Sequence, residues 1–382
     1  IITGNHSGVY LAEGGSVYNN GGSITGGSIG VHTAGAAAAM VTNAGVISGG
    51  TASVEFDGSG ANTLTLQTGS TLTGAAIGST ASTTNALILT GAGLGTANNN
   101  FVNFNTLNAE GSGTWTLGGS STFGDSMVTS GTLSVTGTLN SSTLEIDPGA
   151  AFIDTGAVTV TGSVTNAGAL TINGVPMNVV GAGGTFTQTG GSTTLLNGGV
   201  LDPPNVNVGG GVFGGSGGVV GDVSVTGGEI KPGAAPGGSL TVDGDYSQTG
   251  GEIVFDIDPN GMGGFLETTL DLDPSDSISI SDTTFVFDFL NYTTATQFIA
   301  DGLFNLNAFL GLAGGGEFCT ELNCATVLQD VSFSGHYLIA SGFDPATGAI
   351  TAQAVPEPST WALLITGFLG LGGLGLRRRK HV

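Results

Sequence analysis

The sequence Gly15-Ser16-Val17-Tyr18-Asn19-Asn20-Gly21-Gly22-Ser23-Ile24-Thr25-Gly26-Gly27 returns, with substitutions, as Met40-Val41-Thr42-Asn43-Ala44-Gly45-Val46-Ile47-Ser48-Gly49-Gly50. The two copies are separated by a little more than twenty positions in the chain. A recurrence at a fixed period of about 20–50 residues is the signature of a repeat architecture, in which each unit stacks on its neighbours. The segment is therefore interpreted as one unit of a stack.

Two further echoes have compatible spacings. Phe186-Thr187-Gln188-Thr189-Gly190-Gly191 matches Tyr246-Ser247-Gln248-Thr249-Gly250-Gly251, and this pair is called the long echo below. Leu133-Ser134-Val135-Thr136-Gly137-Thr138-Leu139 matches Val158-Thr159-Val160-Thr161-Gly162-Ser163-Val164, and this pair is called the short echo below. The offsets fit units of about 20 to 25 residues, with the long echo spanning three units and the short echo spanning one.

Each unit contains short runs in which apolar and β-branched polar residues alternate, such as Leu64-Thr65-Leu66, Val223-Ser224-Val225 and Leu240-Thr241-Val242. Alternation with period two places one row of side chains inward and one row outward, which is typical of a β-strand. Gly and Asn between the runs tolerate positive φ and supply corners. The pattern predicts strands of about three to five residues and no convincing amphipathic helix in residues 1–300.

Short strands at near-constant spacing are typical of a sandwich, a propeller or a solenoid. Sandwich strands usually alternate over about five to six residues, which is longer than most runs in this chain. Units of about 20 to 25 residues instead match a parallel β-helix, in which the short strands of each turn stack on the turn before. The predicted fold class is all-β, a parallel β-helix (β-solenoid).

The composition changes along the chain. Residues 1–200 contain eight acids whereas residues 201–354 contain nineteen, and phenylalanine becomes denser after residue 250. We interpret this region as a C-terminal β-rich cap, because an open last turn would expose unpaired backbone and apolar core. The predicted organisation is a Gly/Thr-rich solenoid over 1–250, an acidic β-rich cap over 251–341, a linker over 342–354 and a C-terminal signal over 355–382.

Charge limits the possible functions. The chain is 39% hydrophobic and 9% charged, so it has the apolar content of a folded protein. The 27 acids that precede Glu357 are accompanied by one basic residue, Lys231. Binding to nucleic acid or to anionic lipid depends on Lys and Arg that neutralise phosphate. The charge balance therefore excludes nucleic-acid binding and peripheral membrane binding.

The last 28 residues have three parts in order. Pro356, Glu357 and Pro358 come first and the apolar residues 361–376 follow; the basic cluster is Arg377, Arg378, Arg379 and Lys380. Lys and Arg directly after an apolar helix are held on the cytoplasmic side of a membrane. The pattern predicts a single short transmembrane helix, with the body of the protein outside the cytoplasm.

This three-part end resembles the PEP-CTERM sorting signal of Gram-negative bacteria. The resemblance implies recognition at Pro356, Glu357 and Pro358 by an exosortase-type membrane protease, with the helix transiently in the inner membrane and the body in the periplasm. Removal of the helix would then deliver the protein to the cell surface or extracellular matrix. The alternative is an ordinary anchor that is never processed. Sixteen residues span about 24 Å as a helix, less than the ~30 Å hydrocarbon core, which suits a temporary stop.

Two segments of the body carry a second resemblance. Residues 101–117, which end in Gly113-Thr114-Trp115-Thr116-Leu117, and residues 212–223, continuing through Lys231-Pro232-Gly233 to Asp245-Tyr246-Ser247-Gln248, resemble autotransporter passengers. The resemblance covers about residues 1–290 and implies a right-handed β-helix of the adhesin-like type. The C-terminal β-barrel of autotransporters, with its many strands of about ten residues, is not recognisable in this sequence. We therefore expect export to depend on the sorting signal.

A twelve-residue stretch at the start of the predicted cap satisfies the calcium-loop pattern. Asp256, Asp258, Asn260 and Glu267 occupy loop positions 1, 3, 5 and 12, and Gly261 occupies position 6. The flanking segments are typical of strands, whereas the motif requires helices. A plain turn between two strands is therefore the alternative, and calcium is the one cofactor that the sequence suggests.

The two cysteines, Cys319 and Cys324, are close in sequence. Their spacing is compatible with a local disulfide in an oxidising compartment, and two buried free thiols are the alternative. Two cysteines without a nearby histidine cannot supply the four ligands of a zinc site.

Signals for catalysis are weak. Aspartates that could pair as in a glycosidase are also typical of a solvated strand face; they are Asp245, Asp256, Asp258, Asp271 and Asp273. The histidines show no spacing that suggests a metal site or a catalytic triad; they are His6, His32, His336 and His381. Trp115 and the tyrosines could stack on sugar rings, but core packing is the preferred interpretation.

The sequence thus predicts a non-enzymatic, exported surface or extracellular-matrix protein, structural or adhesin-like, associated with exopolysaccharide or biofilm. Its expected partners are the exosortase-type protease and surface glycans. One alternative is a secreted carbohydrate-active enzyme, a lyase or glycosidase on the same scaffold. Another is a binding module that stays tethered to the membrane. Aligned acid pairs across adjacent turns beside an aromatic groove would favour the enzyme, and a smooth Thr and Ser surface would favour the structural role.

Overall fold

The fold was analysed in a computed structural model. The structure describes residues 1–259, 265–273 and 275–290, and the backbone of residues 304–305, 328–329, 332–335, 338–344 and 349–354. In these ranges the regular structure consists of β-strands, and no helix is present. The predicted all-β class is confirmed for this part of the chain.

The strands have the following bounds in chain order. The first thirteen are β1 (Ile2–Gly4), β2 (Ser7–Leu11), β3 (Gly15–Asn19), β4 (Ser23–Gly26), β5 (Ile29–Thr33), β6 (Ala39–Asn43), β7 (Val46–Phe56), β8 (Asn62–Gln67), β9 (Thr71–Ile77), β10 (Asn85–Thr90), β11 (Leu94–Ala97), β12 (Phe101–Val102) and β13 (Thr106–Ala109). The next thirteen are β14 (Thr114–Leu117), β15 (Ser120–Val128), β16 (Thr132–Val135), β17 (Thr138–Ile146), β18 (Ala151–Asp154), β19 (Ala157–Asn166), β20 (Ala169–Asn173), β21 (Pro176–Val179), β22 (Thr185–Gln188), β23 (Ser192–Asp202), β24 (Asn205–Val208), β25 (Val212–Val220) and β26 (Asp222–Val225). The remainder are β27 (Glu229–Pro232), β28 (Ser239–Asp243), β29 (Tyr246–Gln248), β30 (Glu252–Pro259), β31 (Phe265–Glu267), β32 (Thr269–Leu272), β33 (Ile278–Ser281), β34 (Thr284–Phe289), β35 (Phe304–Asn305), β36 (Leu328–Gln329), β37 (Ser332–Gly335), β38 (Leu338–Asp344) and β39 (Ala349–Ala354).

Parallel pairing arranges these strands as a solenoid with three faces. Face A runs β1–β4–β7–β9 and then β11–β14–β16–β18–β20–β23–β25–β27–β30–β34–β37. Face B runs β2–β5–β7–β9–β12–β15–β17–β19–β21–β23–β25–β28–β32. Face C runs β3–β6–β8–β10–β13–β15–β17–β19–β22–β24–β26–β29–β33–β36. One circuit of the chain through the three faces is called a coil below.

The sequence repeat corresponds to the coil. Val17 pairs with Val41 on face C, and Ile24 pairs with Ile47 on face A, as the first repeat predicts. The long echo is also a true stacking relationship. Face C steps from Phe186 to Val206, then to Val223 and then to Tyr246, which are three coils of unequal length.

The short echo is wrong as a coil repeat. Leu133 lies on face A and pairs with Phe152, whereas Val158 lies on face B and pairs with Leu139. The two segments therefore occupy different faces. Both faces need the same alternation of apolar and Thr or Ser residues, so strands from different faces resemble one another by composition.

Several strands are longer than the three to five residues predicted. Strands β7 and β23 each span 11 residues, and β19 spans 10. Each of the long strands changes pairing partner along its length, because the chain turns a corner without losing its extended conformation. In β7, for example, Ser48 belongs to the ladder of face A and Val54 belongs to the ladder of face B.

The core is built from columns of inward side chains that stack from coil to coil. On face C one such column contains Val41, Leu64, Leu87 and Leu107, which are all buried. Burial of apolar surface at about 25 cal/mol per Å² makes each column a continuous source of stability. Each coil therefore covers the inward side chains of its neighbours.

Amides close the core at its corners. Asn19 Nδ2 donates to Asn43 Oδ1 at 2.8 Å, and Asn43 Nδ2 donates to the carbonyl of Gly45 at 3.0 Å. Asn62 Nδ2 donates in the same way to Asn85 Oδ1 at 2.8 Å. Buried backbone groups at a corner need such partners because the strand ladder does not reach them. The Asn residues predicted as corner formers thus also supply hydrogen bonds to the turns.

Parallel stacking crosses the predicted domain boundary at residues 250 and 251. Strand β30 pairs in parallel with β27 before it and with β34 after it. Antiparallel pairing appears within this region, first in the hairpin of β30 with β31 and later between β37, β38 and β39. The alternation of inward and outward residues continues in β30, and the parallel ladder therefore continues beyond residue 250.

Trp115 shows how closely adjacent coils pack. Its ring is 1% exposed, and Nε1 donates to the carbonyl of Thr90 at 3.3 Å. The ring lies against Gly95, its register partner on β11, where a Cβ atom would be 2.6 Å from Cδ2 of the indole. The interpretation of Trp115 as a core residue is confirmed.

We predict that Gly95→Ala lowers the free energy of unfolding by about 1–3 kcal/mol, because the added methyl group overpacks the indole ring. Equilibrium urea unfolding followed by Trp fluorescence measures the change. Gly183→Ala is the matched control, since no atom lies within 4 Å of its Cβ position. Equal stability of the Gly95→Ala variant and the parent protein would contradict the packing described.

Candidate functional site

An uncharged surface covers the middle of face A. This surface, called the hydroxyl face below, is formed by two rows of outward side chains on β11, β14, β16, β18, β20 and β23. Its residues are Leu94, Thr96, Thr114, Thr116, Thr132, Ser134, Ala151, Ile153, Ala169, Thr171, Ser192 and Thr194. Eight of these twelve residues are Thr or Ser and none is charged. The surface therefore offers hydroxyl groups that can donate and accept hydrogen bonds.

The hydroxyl face is regular because the ladder fixes its register. Its second row steps through paired residues, Thr96, Thr116, Ser134, Ile153, Thr171 and Thr194. Neighbouring strands lie about 4.8 Å apart, so this row is about 24 Å long. Residues two apart on a strand are separated by about 7 Å, which sets the distance between the two rows.

Negative charge on the surface of the same coils lies on the other two faces and at corners. Asp125 and Glu145 point outward from face C, and Asp202 points outward from face B. Glu110 and Asp147 lie at corners between face C and face A. Within the coils of the hydroxyl face, the interior of face A contains one acid, Asp154, which is fully buried. Charge is thus segregated by face, which no linear count of acids shows.

Further along face A, the outward side chains form an acidic cluster around a single lysine. Glu229 and Lys231 lie on β27, Glu252 and Asp256 lie on β30, and Asp288 lies on β34. Glu229 pairs in register with Glu252, and Asp256 pairs with Asp288. The Nζ atom of Lys231 lies 3.2 Å from Oδ1 of Asp256. Two aligned acid pairs therefore occur on adjacent coils.

Burial raises the pKa of Glu229 above its usual range, and the positive charge of Lys231 only partly opposes this effect. The carboxylates of Glu252, Asp256 and Asp288 raise the same pKa further, because a like charge disfavours ionisation. Aligned acids of this kind are one feature of the alternative enzyme. The aromatic residues of these coils whose side chains are described, Tyr246, Phe255 and Phe285, are buried in the interior and do not line a groove.

The residues of the predicted calcium loop lie on a hairpin. Ile257 on β30 faces Glu267 on β31 across the antiparallel ladder, so Glu267 shares a side with Ile257. Asp256 and Asp258 alternate with Ile257 and point to the opposite side. Asn260 lies outside the described residues. Among the described side chains no three His, Cys, Asp or Glu residues converge as a metal site.

The other aspartates considered for catalysis are separated by the fold. Asp245 Oδ1 accepts a hydrogen bond from Ser277 N at 2.8 Å and so orders a corner. Asp271 lies on face B opposite Thr241. Asp273 Oδ1 accepts from Ser275 N at 2.8 Å, and this bond lowers the pKa of Asp273. Asp245 and Asp273 have clear structural roles at turns.

The fold brings one histidine, His32, next to a carboxylate that its sequence spacing does not indicate. Its Nε2 atom lies 2.7 Å from Oδ2 of Asp57, and its ring lies 5.0 Å from the ring of Tyr10. Asp57 belongs to the coil that follows that of His32. Sequence spacing could have found this pair only by comparing residues one coil apart. His6 is exposed, and His336 and His381 lie outside the residues whose side chains are described.

The tyrosines whose side chains are described divide between core and surface. Tyr246 is buried, as expected, and its hydroxyl donates to Gln248. The core interpretation is wrong for Tyr10 and Tyr18, which are 57% and 64% exposed. Both lie on the outward rows of β2 and β3, because their neighbours Val9 and Val17 take the inward positions.

Several predicted sites lie beyond the described residues. They are the sorting motif Pro356, Glu357 and Pro358, the basic cluster Arg377, Arg378, Arg379 and Lys380, and the cysteine pair Cys319 and Cys324. In the described ranges no helix has the length and apolarity needed to span a bilayer. These sites remain predictions.

Comparison of the chain with known protein families, with curated proteins and with solved structures yields no match.

Asp154 is a buried carboxyl group that the sequence analysis did not single out. It occupies an inward position of face A between Val135 and Ile172. Oδ1 accepts from Gly156 N at 3.1 Å, whereas Oδ2 has no hydrogen-bond partner among the described residues. Burial raises its pKa from 3.8 to about 7, because the charged form is poorly solvated in the core.

We predict that Asp154→Asn stabilises the protein at pH 8 by about 2–4 kcal/mol, since a pKa unit corresponds to about 1.4 kcal/mol. The folded state binds the Asp154 proton more tightly than the unfolded state. Its contribution to stability is therefore fully present below pH 3.8 and is lost as the pH rises through about 7.

Urea unfolding at pH 4 and pH 8 measures this dependence, and the two proteins should differ little at pH 4. Asp282→Asn is the matched control, because Asp282 is exposed and its φ of 51° is one that Asn also adopts. An equal effect of Asp154→Asn at both pH values would refute the account.

Proposed function

We propose that this protein is a non-enzymatic, exported surface or extracellular-matrix protein that binds neutral segments of exopolysaccharide along the hydroxyl face. The observation that supports this function is the row of Thr and Ser hydroxyls, free of charge, on a chain with a formal net charge of −23. Sugars present hydroxyl groups that both donate and accept, and the Thr and Ser side chains complement them.

Regular spacing makes such weak contacts additive. Each hydrogen bond in water contributes only about 0.5–1.5 kcal/mol, so one sugar is bound weakly. A polymer that engages several rows at once gains effective concentration for each further contact. The acids on faces B and C repel anionic stretches of polymer and would direct neutral stretches to face A.

We further propose that the solenoid is right-handed and that it ends in a C-terminal β-rich cap. A single transmembrane helix would follow the cap. Pro356, Glu357 and Pro358 would be recognised by an exosortase-type protease while the basic cluster lies in the cytoplasm. After processing, the solenoid would enter the cell surface or biofilm matrix. The order of the three sequence parts supports this route.

The acidic cluster favours one alternative, a secreted carbohydrate-active enzyme. The register pairs Asp256 with Asp288 and Glu229 with Glu252 on adjacent coils, and paired carboxylates are the usual machinery of glycosidases. Release of reducing ends from purified exopolysaccharide would support this alternative, provided that Asp288→Asn abolishes the release.

We predict that Thr171→Glu combined with Thr194→Glu weakens binding of neutral exopolysaccharide by at least about tenfold, because the glycan would have to desolvate two new charges. Co-sedimentation with purified polymer measures the affinity. The matched control is Thr165→Glu with Thr187→Glu, which places the same paired charges on adjacent strands of face C. Equal loss in both variants would contradict a role specific to the hydroxyl face.

We predict that the form recovered outside the cell lacks residues 361–380. Mass spectrometry of the secreted protein establishes its C-terminus. Replacement of Pro356, Glu357 and Pro358 by alanine should retain the full-length chain in the inner-membrane fraction. A mature protein that still contains Trp361 and Lys380 would disprove the sorting route without affecting the test of the hydroxyl face.

A further inference from the structure

The body of the chain contains one lysine, and the fold places it against a carboxylate of the next coil. Lys231 points outward from β27 on face A, and its Nζ atom lies 3.2 Å from Oδ1 of Asp256 on β30. The two side chains differ in exposure, at 36% for Lys231 and 11% for Asp256. The carboxyl group is therefore largely shielded from water, with an amine in contact distance.

Hydrogen bonds to Thr268 hold the main chain of Asp256 in place. The main-chain N–H of Asp256 donates to Oγ1 of Thr268 at 3.0 Å, and the N–H of Thr268 donates to the carbonyl of Asp256 at 3.0 Å. Thr268 is fully buried, and Val254, the outward neighbour of Asp256 on the same strand, is only 7% exposed. A fixed main chain and a shielded carboxyl group raise the effective concentration of the amine at the carboxyl carbon.

A third residue can handle protons at this position. Glu229 lies two residues before Lys231 on β27, so both side chains belong to the same outward row. Burial raises the pKa of Glu229, and the negative charge of Asp256 adds to this effect. A carboxyl group whose pKa lies above its usual range is better suited to act as a general acid and base.

We propose that Lys231 and Asp256 condense to form an intramolecular isopeptide bond, with Glu229 as the proton shuttle. The ammonium first passes a proton to the Asp256 carboxylate, which leaves a neutral amine beside a neutral acid. Nζ then attacks Cγ of Asp256, Glu229 takes one proton from Nζ and returns a proton to the departing hydroxyl group, and one water molecule leaves. The Nζ–Cγ bond replaces a C–O bond, and Glu229 ends as it began.

Such a bond would tie two coils together covalently. It would close the loop between residues 231 and 256 and so restrict the unfolded chain, as a disulfide of similar loop length does. Unlike a disulfide, it would resist reducing conditions. It would also fasten the part of face A where antiparallel pairing first appears, in the hairpin of β30 with β31.

The test is the mass of the denatured full-length chain after purification. The parent protein should be lighter than its sequence by one water molecule, and Lys231→Arg should have its full sequence mass. This variant keeps a positive charge beside Asp256, so the ion pair and the fold are preserved. Glu229→Gln also retains Lys231 and Asp256 and should have its full sequence mass.

Two further readouts locate the change. Digestion after glutamate should release the peptides that contain Lys231 and Asp256 as one linked species. An amine-reactive label applied to the unfolded chain should fail to modify Lys231. An Asp-Gly sequence such as Asp57-Gly58 could also lose one water molecule and give the same mass deficit. That loss would be found in a different peptide and would persist in the Lys231→Arg variant.

The proposal is overturned if the parent protein has its full sequence mass, or if the mass deficit survives in Lys231→Arg. Only the role of Glu229 as proton shuttle is overturned if the Glu229→Gln variant still forms the linked peptide at the parental rate.

Discussion

The described solenoid depends on the parallel backbone ladder between successive coils. A single coil cannot bury its own inward side chains, so it gains stability only when its strands pair with those of its neighbours. The pairing also forces side chains at equivalent positions into columns about 4.8 Å apart. Leu64 and Leu87 stack in the core for this reason, and Thr171 and Thr194 stack on the surface for the same reason.

The parallel ladder sorts the outward side chains of the chain into separate surfaces. Because inward and outward positions alternate, each outward row collects residues from many coils, and its chemistry is the sum of those residues. Face A carries a charge-free row in its middle and a dense group of acids around Lys231 further on. The first arrangement suits weak, repeated contacts with a polymer, and the second places several carboxyl groups around one amine. The charge-free row and the acidic cluster around Lys231 are therefore chemically distinct parts of face A.

The contacts that sequence analysis missed share one property, which is a separation of one coil. His32 meets Asp57, and Lys231 meets Asp256, and each contact joins a residue to the coil that follows its own. The coil length varies along the chain, as the unequal steps from Phe186 to Tyr246 show. A constant period therefore cannot identify such partners. The misleading echo between Leu133 and Val158 has a related cause, since strands on different faces obey the same alternation.

The sequence by itself determined the all-β class, the stacked parallel coils, the corner residues and the burial of Trp115, because these follow from period-two alternation and from Gly and Asn at turns. Only the tertiary structure decided which outward residues share a face, where the strands turn corners, and which acid meets the lysine. Alternation tells whether a side chain points in or out. The face that it joins depends on corner positions and coil lengths, which are set by packing among neighbouring coils rather than by any residue alone.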